Sequence, residues 1–305
     1  MKPRRTVLSV PGHVEKMHHK AARSQADVVM LDLEDSVPLD EKENARKLVV
    51  RSLLSIDWQD KCVTTRINGL ETPFGYRDLL SVAEEAGRQL DGVVIPKVDH
   101  SGDVHFADRL LNGIELNKRL TNCIGIEAII ESAVGLERIS EIAGASRRLK
   151  ALVFGVADFS ASIGARLVSI SGHGEKEETL YPGHRWHFTL SRIVMAAKAH
   201  GLMAIDTPYG NFRDLDGLRR STVMACALGC DGKWAIHPDQ IDTINDVFSP
   251  SAEDIERARK VLAAYDEAEA QGRGVASVDG RMIDAATMRL AKILYDRAKH
   301  LNLVK

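Results

Sequence analysis

The stretch LKALVFGVADFSASIG, from Leu149 to Gly164, decides how the rest of the chain is read. Its apolar run, Ala151 to Val156, is too short for a typical globular helix and rich in Val and Phe, which marks a buried strand. The run stops around Gly155, and Asp158 follows at once. A carboxylate just beyond the carboxyl end of a buried parallel strand is where α/β folds keep their chemistry. One strand-and-helix unit upstream, IGIEAIIESAVG (Ile124–Gly135) repeats the layout and ends its apolar run at Glu131. Two carboxylates at neighbouring strand ends suit one hard divalent cation, Mg2+, with water and substrate oxygens filling the rest of its shell. The plainer reading of the same residues is an Asp that caps the next helix and a Glu on a solvated face.

Working outward, eight short apolar runs recur: Thr6–Val10, Val28–Leu33, Cys62–Ile67, Gly92–Ile95, Ile124–Ile130, Ala151–Val156, Leu202–Ile205 and Lys233–Ile236. Charged stretches with apolar residues at helical spacing separate most of them, such as Glu41–Leu54 and Gly135–Ala143. Alternating strand and helix argues a parallel sheet, and eight such units argue a (β/α)8 TIM barrel with its active groups at the carboxyl ends of the strands. A doubly wound open sheet competes, but no GxGxxG follows any early strand. The barrel is expected over residues 1–248. A C-terminal helical extension is expected over 249–305, reaching a neighbouring subunit. Its parts are a helix at Ala252–Ala270 with a Ser251/Asp254 capping box, a turn at Asp279-Gly280, and a helix at Ala285–His300.

Charged and polar residues stand at nearly every expected strand end: Asp32, Glu34 and Asp35, then Arg66 and Asn68, Lys97, Glu127 and Glu131, Asp158, Asp206, and His237. Buried charges cost several kcal/mol unless paired or liganded, so a full set of them needs a reason. Alternation on a strand gives Asp32 and Glu34 one face and sends Asp35 elsewhere. Arg66, one strand over, is their natural partner. The pairing reads either as a structural brace of the barrel mouth or as a cluster that orients Arg66 toward a substrate carboxylate or enolate, and the two are compatible. Ser169–Arg185 reads as a surface loop over the mouth; His173, His184 and His187, in or near it, are assigned loop or packing roles.

The composition is that of a soluble globular enzyme: 305 residues, 44% hydrophobic and 28% charged, with a net charge of -2. No basic field favours nucleic acid or a membrane surface, so an anionic ligand must be held by local Arg and Lys. The amino-terminal MKPRRTVLSVPG is not a secretory signal, and no run is long enough to span a bilayer. Cys62, Cys123, Cys226 and Cys230 form no CxxC pattern, and reduced thiols in a cytoplasmic setting are expected.

Several segments together resemble the citrate lyase β-subunit-like family within the HpcH/HpaI aldolase group: RRTVLSVPG, LDLEDSVPLDEKENAR, RINGLETPFGYRDL, VVIPKV, GIEAIIESAVGL, FGVADFSASIG and GKWAIHPDQI. The resemblance runs over essentially the whole chain. YPGHRWHF, AIDTPYGNFRDLDGLRR and GRMIDAATMRLA look most like the malyl-CoA lyase branch. The resemblance implies that Glu131 and Asp158 ligate Mg2+, with Mn2+ as a substitute, and that Arg66 faces the substrate carbonyl and enolate oxygen. It implies that Glu34 and Asp35 support that arginine and the metal waters. Asp284 matches an aspartate that enters from a neighbouring subunit as acid/base, and Arg5 and Lys16 fall where basic residues face coenzyme A phosphates. A homotrimer or hexamer is implied as well.

The implied reaction is a reversible Claisen-type cleavage of malyl-CoA, methylmalyl-CoA or citramalyl-CoA to an acyl-CoA and glyoxylate or pyruvate. A CoA-free 2-oxoacid aldolase, a malyl-CoA thioesterase and a non-enzymatic subunit are the alternatives. Thr207 and Asn211 stand where malyl-CoA lyases tend to carry Gly and Asp, which bears on the acceptor pocket.

Overall fold

The computed structural model describes residues 2–165 and 185–304. Eight parallel strands close into a barrel in sequence order. They are β1 (Thr6–Pro11), β2 (Val28–Asp32), β3 (Cys62–Arg66), β4 (Gly92–Ile95), β5 (Gly125–Ile130), β6 (Leu149–Phe154), β7 (Met203–Asp206) and β8 (Gly232–Ala235). β8 returns to pair with β1, so the sheet has no open edge. Helices follow the strands, among them Glu15–Ala22, Lys42–Ser55, Gly75–Ala86, Ser101–Lys118, His187–Ala199 and Leu215–Leu228. This is the TIM barrel that the eight runs imply. The expected mouth loop at Ser169–Arg185, with His173 and His184, lies outside the described residues up to Arg185.

The strand expected at Ala151–Val156 is shifted from that span. β6 ends at Phe154, and Val156 begins a helix, Val156–Ser162, instead of finishing the strand. Gly155 makes the last ladder bond, donating its N–H to Ile130 O at 3.2 Å, and then the chain turns. Asp158 therefore rides in the first turn of a helix directly above the strand end. The expected helix at Gly135–Ala143 is likewise two short ones, Ala133–Glu137 and Ile139–Ala143, broken at Arg138.

Inside the barrel an apolar cluster that includes Val28, Met30, Val94, Ile129, Val153, Ile205 and Trp234 fills the middle. Ion pairs close it at both ends. At the amino-terminal end Arg4 and Glu127, both buried, form a close salt bridge, and Arg4 Nη2 also donates to Cys62 Sγ at 3.3 Å. Glu127 is thus no strand-end residue: it lies in the middle of β5 and serves the floor of the barrel. Asp206 is spent in the same way, on Lys233 of β8 at 2.5 Å, with both side chains buried.

Residues 247–305 form a second compact unit. Its first helix, Ala252–Ala270, is capped by Ser251 Oγ, which accepts from Asp254 N at 3.1 Å. Two short antiparallel strands, Ala276–Val278 and Arg281–Ile283, are joined by Asp279 and Gly280, both with positive φ, the twist that tight hairpins require. Asp284 then caps the helix Ala285–His300. All four cysteines are free thiols, and among the described residues no helix is long and apolar enough to cross a membrane.

Truncating one partner of the floor pair strands the other charge in the core. Arg4→Ala should cost about 3–5 kcal/mol, seen as a lowered midpoint in urea unfolding. The Arg4→Met/Glu127→Leu double variant should recover most of that loss. An Arg4→Ala protein as stable as the wild type would remove the floor pair from the account.

Candidate active site

The carboxyl ends of β2 and β3 are in register: Asp32 and Arg66 are directly opposed partners. Their side chains meet as a two-pronged pair. Arg66 Nε donates to Asp32 Oδ1 and Nη2 to Oδ2, each at 2.7 Å. Burial alone would raise the Asp32 carboxyl, but the Arg66 charge and its hydrogen bonds outweigh it. With the N–H groups of Glu34 and Ser36 also donating, they hold it below the usual carboxylate range. Beneath the guanidinium lies the Trp234 ring, 5.6 Å from Cζ to its centroid. Arg66 is therefore fixed on one edge and backed on one face, which leaves its Nη1 on the side of Glu34 and Asp35.

Glu34 stands on that side. Its Oε2 lies 2.7 Å from Arg66 Nη1, but out of line for a hydrogen bond, while its Oε1 takes the Lys97 ammonium at 2.5 Å. Asp35 is exposed, and its carboxylate is 3.7 Å from Nη1. The main-chain carbonyls of Leu33 and Glu34 are tied down by Lys42 Nζ at 2.8 and 2.6 Å. The acidic cluster does surround Arg66, as its spacing suggests, and the innermost member is Asp32.

Lys97 reaches the site from the end of β4 with an unusual backbone, φ +52°. In that conformation its N–H turns to Glu131 Oε1 at 2.7 Å. Glu131, just past β5, is buried, and its side chain fills the place where any residue but glycine at 155 would put a Cβ: such an atom would lie 2.6 Å from Glu131 Cβ. Glu131, half-buried Asp158 and Lys97 line one cavity of about 650 Å3, together with Pro96, Asp99 and Ser132. Burial, then the charges of Glu34 and Asp158, push the Glu131 carboxyl up to about 8.

This donor set fits a hard cation. Among the described residues no three His, Cys, Asp or Glu side chains form a metal cage. Two carboxylates facing a polar cavity, one of them lacking a full counter-charge, are what Mg2+ accepts, because it keeps several waters and shares its remaining positions with substrate oxygens.

The other expected residues fall elsewhere. Arg5 must be corrected: it precedes β1, and its main-chain N–H, Nε and Nη2 all donate to Asp27 at 2.7–2.8 Å. That places it at the amino-terminal rim, the opposite end of the barrel from Arg66, with no path to a ligand at the mouth. Lys16 is exposed in the first turn of the helix after β1, on the mouth side. His187 begins the helix His187–Ala199, and the His237 ring stacks on Phe212 at 4.7 Å while accepting from Asp239 N. Asp284 belongs to the second unit, where its Oδ1 accepts from Thr287 N at 2.8 Å and Thr287 Oγ1 at 2.9 Å; those bonds hold it below the usual carboxylate range. Spacing gave no site role to Lys97, Trp234 or Gly155. The VVIPKV run did mark Lys97 as a strand-end lysine, the one available signal.

Comparison with known proteins adds an independent line. The HpcH/HpaI aldolase/citrate lyase family profile matches residues 5–238. An L-malyl-CoA/beta-methylmalyl-CoA lyase of Cereibacter sphaeroides is 41% identical over 98% of this chain and 95% of its own length. A (3S)-malyl-CoA thioesterase of the same species is 36% identical over 92% of this chain and 90% of its own length. Among solved structures, the protein CitE of Mycobacterium tuberculosis, in complex with magnesium, acetoacetate and coenzyme A, superposes with a TM-score of 0.78 at 28% identity over 98% of both chains.

Two outcomes follow from this geometry. A raised Glu131 means that the metal-free fold holds a proton which the unfolded chain releases near the ordinary 4.5. Its contribution to metal-free stability is full below that value and is lost as pH rises through about 8. Cation binding needs the carboxylate, so Mg2+ affinity measured by calorimetry should rise about tenfold per pH unit below about pH 8 and level off above it. A flat profile would contradict the assignment. Gly155→Ala should displace Glu131 and weaken Mg2+ binding by ~10–100-fold with the barrel's circular dichroism retained.

Proposed function

The chain belongs to the HpcH/HpaI aldolase/citrate lyase family, and on that premise we propose that it is a carbon–carbon lyase acting on a 3-hydroxyacyl-CoA, malyl-CoA or its β-methyl homologue. The observation that carries this reading is the convergence at one barrel mouth of a fixed arginine and two carboxylates with the donor character of a Mg2+ site. A thioester enolate needs a rigid cationic donor, and a 2-hydroxyacid end needs a hard cation; Arg66 ends β3, and Glu131 and Asp158 follow β5 and β6 at the same end of the barrel.

Glu131 and Asp158 would hold magnesium, which when bound would supply Lewis acidity to the hydroxyl and carboxylate of the substrate. The protein groups do the rest. In cleavage the hydroxyl gives up its proton to water and its oxygen becomes the carbonyl of glyoxylate. The bond between the α and β carbons breaks, and its electron pair moves into the thioester as an enolate. Arg66 faces the developing oxyanion with the donors of its Nη1 side, already oriented by Asp32, so no reorganisation is needed as charge appears. A proton is then returned to the α carbon, which leaves as acyl-CoA. We assign that transfer to Asp284 of a neighbouring subunit. The capped carboxylate is suited to the reverse role, taking a proton from acetyl-CoA, and a drier environment in a second subunit's cleft would raise its pKa toward the acid role. We assign Lys16, exposed on the mouth side, to the coenzyme A phosphates.

A thioesterase is the second reading, because one relative at 36% identity carries that name. It breaks a different bond: water attacks the thioester carbonyl carbon, the C–S bond breaks, and the hydroxyacid and free coenzyme A thiol are the products.

An Mg2+-dependent assay on malyl-CoA and its methylated relatives separates the two, with glyoxylate or pyruvate trapped and free thiol followed in parallel. Oxoacid without free coenzyme A is the expected result; free coenzyme A without oxoacid would establish the thioesterase. Asp158→Asn should lower metal-dependent turnover by at least ~100-fold in a folded protein.

A further inference from the structure

Arg66 meets its two carboxylates in different ways. Asp32 takes Nε and Nη2 in aligned hydrogen bonds, whereas Glu34 Oε2 lies 2.7 Å from Nη1 but off the hydrogen-bond axis. A buried carboxylate this close to a guanidinium ordinarily turns to accept from it in line. Here the other oxygen of Glu34 is held by Lys97 Nζ at 2.5 Å. Lys97 is itself pinned from the opposite end, because its main-chain N–H is bonded to Glu131 Oε1 at 2.7 Å with φ at +52°.

We propose that Lys97 is a positioning residue for the lyase reaction: its ammonium holds Glu34 off the Arg66 Nη1 axis and so reserves those N–H donors for the substrate oxyanion. Without the ammonium, Glu34 rotates onto Arg66 and competes with the enolate for the same donors. The left-handed backbone makes this possible, since one residue then reaches Glu131 through its main chain and Glu34 through its side chain. The two functions are separable. Replacing the side chain leaves the N–H on Glu131, and any unbranched L residue carries the same backbone strain. The inference rests on the reading of Arg66 as the oxyanion donor.

Lys97→Met is the test, with Lys97→Arg as the charge-retaining control and circular dichroism to confirm folding. In Lys97→Met, kcat for malyl-CoA cleavage should fall by about 10- to 100-fold, while the Mg2+ dissociation constant stays within about twofold of wild type. Lys97→Arg should regain most of kcat. The Lys97→Met/Glu34→Gln double variant should be no slower than Glu34→Gln alone, because a neutral side chain at 34 no longer captures the arginine. Wild-type kcat in Lys97→Met, a parallel loss of Mg2+ affinity, or losses that multiply in the double variant would each overturn the inference while leaving the lyase reading in place. A wild-type protein that yields no oxoacid would overturn both.

Discussion

The Arg66–Asp32 fork is the interaction from which the mouth of this barrel is built. A buried ion pair of this kind is not a source of net stability, because desolvation offsets most of the attraction. Its value is geometric. Two parallel strands in register place the partners opposite each other, two aligned hydrogen bonds remove the guanidinium's freedom, and Trp234 closes one face. Glu34, Lys97 and through it Glu131 are then arranged around a fixed cation. Loosening Asp32 would unsettle the whole chain of contacts.

The barrel separates its charges by end. Arg4 and Glu127 occupy the floor, Arg66 and its carboxylates the rim, and an apolar layer that includes Met30, Ile129 and Val153 lies in the middle. The floor pair is matched charge for charge, as is Asp206 with Lys233. At the rim the balance is incomplete: burial, then the charges of Glu34 and Asp158, push the Glu131 carboxyl up. Chemistry is kept where charge is left over, at the carboxyl end, and stability where it is cancelled.

Much of this was legible in sequence because it depends on periodicity. Eight apolar runs, the Ser251 cap, the Asp279-Gly280 turn and the helices Ala252–Ala270 and Ala285–His300 are local patterns, and the structure keeps them. The alternation of Asp32 and Glu34 likewise put both beside Arg66. The misplaced residues share one cause, distance along the strand axis. Arg5 stands before β1 and Glu127 four residues ahead of Glu131, so each lies well below the rim at ~3.3 Å per residue. Strand direction alone would have excluded both. Lys97 is different. Its importance comes from a left-handed backbone and from partners just past β2 and β5, neither of which has a signature in a run of five apolar letters and a lysine.

The space that Gly155 leaves for Glu131 links two positions on neighbouring strands into one heritable unit. While Glu131 is kept, drift at 155 is blocked however neutral a small side chain would be elsewhere on that turn. A lineage that abandoned the carboxylate would lift the block. Retention of glycine there can thus record the carboxylate's past presence, and its replacement by a larger residue in a divergent copy would date the loss of that side chain rather than the loss of the fold.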